Sequence, residues 1–311
     1  MPKESFDKIT VQSVGLLCAA ASLALGVVYL LAAGAPLRYV VINVAAFVVG
    51  LCAVIAARCF KRSVHRFSGL FTAVASAALL ATAVFGVTVE GVTRWVAAGP
   101  VLIQPSLVLL PALVVGFVRR RDLVTTSAVL VAALSMGVQP DRAMAGAMFA
   151  ALAALACFRR DKFVYVALAG AATAFIAALV QPDPLPAAER VERVLFTAFT
   201  LHPALGFGVV SGSALLVVPA FFGMLGPHRE AYAVFGTTWG AIILAAVVGN
   251  YPTPVVGYSG AAVLGYVLSL AALPGAASVR AGTQSGPASG NPDNDDGSDV
   301  GVRLLGENLP A

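Results

Sequence analysis

Charge is what this sequence has least of. Only 11% of its 311 residues are Asp, Glu, Lys or Arg, against about a quarter in an ordinary soluble domain. That scarcity excludes a soluble globular enzyme. It equally excludes a disordered chain, which needs polar residues in place of apolar ones. Histidine and cysteine are also sparse, at three and four residues. Four cysteines in a chain of this length exclude a disulfide-stapled secreted domain. None of them falls with a histidine at metal-ligand spacing, so no metal site is expected. There is no Gly-rich phosphate loop and no G-x-S-x-G elbow, and no cofactor is expected.

Apolar residues fill the gap. They make up 59% of the chain, and the mean hydropathy is +0.90. A membrane-spanning helix needs ~20 apolar residues. The sequence therefore predicts an all-α polytopic membrane protein of about ten transmembrane helices. The spans fall near 12–33, 39–57, 68–89, 97–118, 123–139, 143–158, 163–181, 203–225, 231–249 and 253–275. No Asp, Glu, Lys or Arg lies inside any of them, which argues against proton- or ion-coupled transport. The many Gly and Ala residues within the spans fit close helix packing.

The joints between spans alternate in charge. One set, from Lys3 and Lys8 through Arg58, Arg119 and Arg159 to Arg229, holds 13 basic residues. The other holds five: Arg38, Arg94, Arg142, Arg190 and Arg193. Positive charge stays in the cytoplasm. The expected location is the cytoplasmic (inner) membrane, with both termini inside and the five-arginine face outside. Cys18 and Cys52 then lie within spans and Cys59 and Cys157 at cytoplasmic span ends, so no disulfide is expected. The basic excess follows topology, and no nucleic-acid partner is expected. Residues 1–275 read as the ten-span domain. Residues 276–311, rich in Gly, Ser, Asn, Asp and Pro, read as a disordered cytoplasmic tail.

Polar residues that could hold a site gather on the outer face. The most informative stretch is residues 89–106, VEGVTRWVAAGPVLIQPS. Arg94 and Trp95 stand just before the expected fourth span. Gln104, Pro105 and Ser106 put an amide, a helix breaker and a hydroxyl into an apolar run. In hydrocarbon each polar group needs a partner, and a broken helix end lining a polar cavity supplies them. Asn250 adjoins a second such stretch, TPVVGYSGAAVL, which carries Tyr258. In AAERVERVLFTAF, Glu189, Arg190, Glu192 and Arg193 read as the wet side of an interfacial helix, with Val191, Val194 and Leu195 toward lipid. Asp141 and Arg142 read as turn residues.

These two stretches carry a resemblance. Gly91, Arg94, Trp95, Gly99, Ile103, Gln104, Pro105 and Ser106 match, at the same spacing, a pattern of the SEDS family. This family of shape, elongation, division and sporulation proteins comprises the FtsW/RodA/SpoVE membrane proteins. Its pattern reads G-A-x-R-W-I-x-L-G-x-x-x-I-Q-P-S-E-x-x-K. Pro254, Tyr258 and Gly260 hold places in a second pattern, L-P-F-x-S-Y-G-G-S-S, at the last span. The chain thus resembles a divergent, shortened member. The family has ten spans with both ends inside. It polymerises lipid II into glycan strands with a class B penicillin-binding protein, in cell division and cell shape.

The resemblance therefore implies an undecaprenyl-linked precursor, membrane lipid and a class B penicillin-binding protein as partners. The substrate contacts expected are Arg94, Trp95, Gln104, Ser106 and Tyr258 from the two motifs, with Asn250 in the turn that adjoins the second. Leu107 and Leu110 replace the family's Glu and Lys. The family's essential aspartate follows a Gly-rich run, and here no acid follows Gly208 until Glu230. Asp183, Glu189 and Glu192 are the acids that could act as a base from new positions. Three function classes stand: a lipid II polymerase relative, a non-catalytic scaffold of the same machinery, and a ten-span small-solute transporter of the drug/metabolite type. His202 opens HPALGFG, which is similar to a run in O-antigen ligases but lacks their downstream histidine.

Overall fold

Thr10 accepts the backbone N–H of Ser13 and so opens α1 (Val11–Ala32). The computed structural model describes residues 10–59, 68–188 and 190–274. The tail expected over 276–311 and Glu189 lie outside the described residues. After α1 come α2 (Leu37–Cys59), α3 (Ser68–Phe85), β1 (Val87–Val89), β2 (Val92–Ala98), β3 (Val101–Ile103) and α4 (Pro105–Arg119). Then follow α5 (Leu123–Val138), α6 (Arg142–Phe158), α7 (Lys162–Val180), α8 (Val194–Leu201), α9 (Pro203–Leu215), α10 (Val218–Met224), α11 (Arg229–Val248) and α12 (Gly260–Ala272).

The fold is an all-α polytopic membrane fold with one small sheet. Among the described residues, five helical stretches are long and apolar enough to cross a membrane. Five shorter apolar helices bring the segments to the ten expected. Helices satisfy their own backbone, which lipid requires. Their ends need other partners. Asp122, Asp141 and Asp161 cap α5, α6 and α7, accepting from the backbone N–H of Thr125 (2.9 Å), Met144 (3.2 Å) and Val164 (3.0 Å).

α4 is the central helix. Eleven of its fifteen residues are buried, among α3, α5, α6, α11 and α12. Large apolar side chains on α1, α2, α3, α7, α9 and α11 are exposed instead, among them Leu17, Val41, Val74, Ile176, Phe207 and Leu244. Those faces suit lipid, not water. Small residues set how closely the helices approach. A Cβ at Gly265 of α12 would overlap the Leu107 carbonyl of α4, and one at Gly26 of α1 would lie 2.6 Å from the Val256 carbonyl oxygen.

Several boundaries differ from expectation. The spans expected over 68–89 and 97–118 are shorter helices joined by an antiparallel sheet of order β1-β2-β3. Val89 pairs with Val92, and Ala98 with Val101. The cause is local: Val, Thr and Ile crowd this stretch, and β-branched residues favour strands. Glu90 and Gly91 both have positive φ, as a two-residue hairpin turn of type I′ requires. The span expected over 203–225 breaks into α9 and α10 at Leu216–Val217, just before Pro219. The last one starts only at Gly260, because Pro252 and Pro254 keep 250–259 out of helix. Finally, Val194 and Leu195 are buried against Tyr29, Leu30 and Val256. They pack on protein and not toward lipid, and the helix found within the expected AAERVERVLFTAF segment is α8, from Val194 onward.

Candidate functional site

Residues of β1, β2 and β3, the start of α4, Leu185, Pro186, Ala188, Val191 and Glu192, and the segment from Asn250 into α12 wall a cavity of about 540 Å³. Arg94, Trp95, Gln104, Glu192, Asn250 and Tyr258 all contribute to its wall. Five of the six residues expected to touch substrate are thus brought together, along with one of the three candidate acids. Ser106, the sixth, sits behind Gln104 and does not line the cavity. Asp183 lies behind Arg94.

Each wall residue is held by identifiable bonds. Arg94 projects from β2. It donates from Nε to the Gln139 carbonyl (3.2 Å) and from Nη2 to the Pro140 carbonyl. Nη2 also reaches Asp183 Oδ2 at 2.9 Å. The Arg94 and Asp183 side chains are 3% and 10% exposed. Tyr251 donates its hydroxyl to the same Asp183 oxygen at 2.9 Å, and its ring lies 5.9 Å from the Arg94 guanidinium carbon. Burial works against the Arg94 charge. Asp141 and Asp183 outweigh it, so the guanidinium is held above its ordinary pKa. Burial raises the Tyr251 phenol, and its bond to Asp183 raises it further.

Asp141 is a second hub, and the expectation that it is a simple turn residue understates it. Its side chain is fully buried. Oδ2 accepts from Gln104 Nε2 (2.9 Å) and Ser106 Oγ (3.0 Å), while Oδ1 caps α6. The polar Gln-Pro-Ser break at the start of α4 therefore finds its partner in the turn before α6. Gln139 donates to the Leu79 carbonyl at 3.1 Å and ties α3 to the same turn.

Glu192 stands apart from both hubs. The segment around it is pinned to the 249–259 segment. Thr253 donates to the Val191 carbonyl and Tyr258 to the Arg190 carbonyl, each at 2.9 Å. Arg190 and Arg193 take positive φ, a strained conformation for residues other than Gly. The Glu192 carboxylate accepts the Ala188 amide at 2.6 Å. Burial pushes its pKa up to about 7, against the opposing pull of the backbone amides. Glu192 is thus the candidate acid that both faces the cavity and exchanges protons near neutrality. Asp183 is held through Oδ2 by Arg94 and Tyr251 behind the cavity wall, and Glu189 lies outside the described residues.

Sequence reasoning overlooked Asn43, a buried side chain on the apolar helix α2. Its Nδ2 donates to the Gly257 carbonyl (2.8 Å), and its Oδ1 accepts the Ser259 amide (3.1 Å). It holds the turn that carries Tyr258, whose ring stacks on Tyr39 at 3.8 Å. A lone Asn in an apolar run was the available signal. His202 accepts the Ala204 amide through Nδ1 at 3.1 Å and caps α9. It does not line the cavity.

No protein-family model matches the chain, and no curated protein matches it. Solved structures do. A variant of the Thermus thermophilus rod shape determining protein RodA, with one aspartate replaced by alanine, aligns over 83% of this chain and 94% of its own. The TM-score is 0.59 at 16% identity. RodA without that substitution aligns over 83% and 93%, with a TM-score of 0.58 at 16% identity. The chain has a RodA-like fold. The SEDS-like architecture expected from the two motifs is therefore the architecture observed. In this RodA-like fold the first motif forms the hairpin and the start of α4, and the second forms the entry to α12.

Proposed function

We propose that the chain is a SEDS-like protein of the cell-shape and division machinery in the cytoplasmic membrane, and that its cavity takes the headgroup of an undecaprenyl-linked glycan precursor such as lipid II. One observation carries this reading. Arg94, Trp95, Gln104 and Tyr258 of the two motifs, and Asn250 beside the second, share one cavity wall. The positive-inside pattern supports both termini in the cytoplasm and the cavity on the outer face, where such a precursor is presented. The body over 1–275 then carries the function, with 276–311 as a cytoplasmic tail. A class B penicillin-binding protein is the expected partner.

The same wall supports recognition in preference to catalysis. A diphosphate leaving group needs cations. Among the described residues lining the cavity, Arg94 is the one cation, and Asp183 already engages it. The favoured reading is a precursor-binding scaffold.

A second reading rests on Glu192. A base poised near neutrality is what proton abstraction needs. Glu192 would take the proton of the acceptor hydroxyl as that oxygen bonds to the sugar carbon and the diphosphate departs. The test is lipid II binding and glycan polymerisation with purified protein, alone and with candidate class B penicillin-binding proteins. The scaffold reading expects saturable binding and no polymer. Polymer that vanishes in Glu192→Gln supports the enzyme instead, and absence of binding overturns both.

A further inference from the structure

A second cavity lies on the far side of the Asn250–Tyr251 wall. It is a groove of about 650 Å³ between α6, α7 and α11, within the ~300–1,000 Å³ range of ligand sites. Its length is apolar. Gly146 and Ala150 of α6 form the floor, with Phe175 and Leu179 of α7 and Leu244 and Val248 of α11 as walls. The rims Leu179, Leu244 and Val248 are exposed, so the groove opens sideways toward lipid. One end is polar, where Arg142, Asp183, Asn250 and Tyr251 converge.

That end holds an acceptor for which the described residues supply no donor. Asp183 is nine-tenths buried. Its Oδ2 is engaged by Arg94 and Tyr251, but its buried Oδ1 accepts no hydrogen bond from the described residues. A buried acceptor without a donor is costly. A donor held in the groove that Asp183 lines can supply that partner. The local charge adds a second constraint. Arg142 and Asp183 are the charged residues among those lining the groove, so the end is neutral overall and favours a headgroup with both signs of charge.

We propose that this groove binds one zwitterionic membrane lipid bearing a primary ammonium, of the phosphatidylethanolamine class. Its acyl chain lies along α6 and α11, its ammonium donates to Asp183 Oδ1, and its phosphate sits on the Arg142 side. The site is separate from the precursor cavity and touches it through the shared Leu185, Asn250 and Tyr251. Lipid in the groove buttresses Tyr251 and Asp183, which in turn hold Arg94.

Native mass spectrometry of the full chain, titrated with phosphatidylethanolamine, phosphatidylcholine or phosphatidylglycerol, tests this. The expected result is one retained phosphatidylethanolamine, with the other two about tenfold weaker. Phosphatidylcholine has no N–H to donate, and phosphatidylglycerol adds a net negative charge. Tenfold corresponds to ~1.4 kcal/mol, close to the lower end for one hydrogen bond to a charged group. Ala150→Trp, in the floor of the groove, and Leu244→Trp, in its exposed wall, should each abolish retention. Equal retention of the three lipids overturns the proposal on the wild-type protein alone. Unchanged phosphatidylethanolamine retention in a folded Trp variant overturns the placement.

Discussion

Replacing Arg94 by alanine removes more hydrogen bonds than any other single change at the cavity. The guanidinium serves the carbonyls of Gln139 and Pro140 and the carboxylate of Asp183. Truncation leaves Asp183 with one partner, the Tyr251 hydroxyl. Breaking a buried ion pair from one side costs about 3–5 kcal/mol, because the surviving charge stays buried. Replacing both charges by apolar groups costs far less. Arg94→Met combined with Asp183→Leu should therefore recover most of what Arg94→Ala loses. Arg94→Lys should recover little, since an ammonium lacks the planar fork. Denaturant or thermal unfolding in one detergent, run as a double-mutant cycle, measures the coupling. A loss below about 1 kcal/mol for Arg94→Ala, the level of an exposed pair, would refute the account of a buried, structural ion pair. Additive effects in the double variant would refute it equally.

Four further outcomes are expected. Gln104→Ala or Ser106→Ala removes one donor from buried Asp141 and should cost about 1–3 kcal/mol each, measured by unfolding. Asp141→Ala should cost more than either, since the α6 cap goes as well. Gly265→Ala forces a Cβ into the Leu107 carbonyl and should destabilise by about 1–3 kcal/mol, read as a lowered melting temperature. The Glu192 carboxyl holds its proton up to about 7 when folded, against 4.5 ordinarily. The folded state therefore binds more protons between those values, and stability falls as pH rises through the window. Glu192→Gln should flatten that slope and raise the melting temperature at pH 8 relative to the wild type.

The helical framework was legible because hydrocarbon imposes one strong rule: an apolar run must satisfy its own backbone, so runs become helices. The hairpin from Val87 to Ile103 was hidden for the same reason. Its valines read as span to a hydropathy count, and only β-branching and the Glu90–Gly91 and Gly99–Pro100 turns distinguish them. Asp141 and Asn43 were undervalued because their partners lie 35 to 37 and more than 200 positions away. Spacing along one chain carries no trace of such pairs. Arg94, Trp95, Gln104, Asn250 and Tyr258 were legible as a group because they are polar or aromatic residues at ends of apolar runs. That the acid sharing their cavity is Glu192 and not Asp183 depends on how the 181–193 loop folds back on 249–259.

This geometry changes which experiment speaks to function. Arg94, Gln104 and Ser106 are the most recognisable residues of the first motif, yet their polar groups are engaged within the protein. Loss of function in Arg94→Ala or Gln104→Ala would follow from a weakened fold whether or not the cavity binds anything. Glu192 and Tyr258 differ. Truncating either leaves the Arg94–Asp183 pair and the Asp141 cluster intact. A precursor diphosphate should also bind better below pH 7, where Glu192 is protonated and adds no negative charge to the wall. Binding that strengthens about tenfold per pH unit at most, and loses that dependence in Glu192→Gln, would tie the ligand to the cavity and not to the stability of the protein. A pH-independent affinity for lipid II would place the headgroup elsewhere.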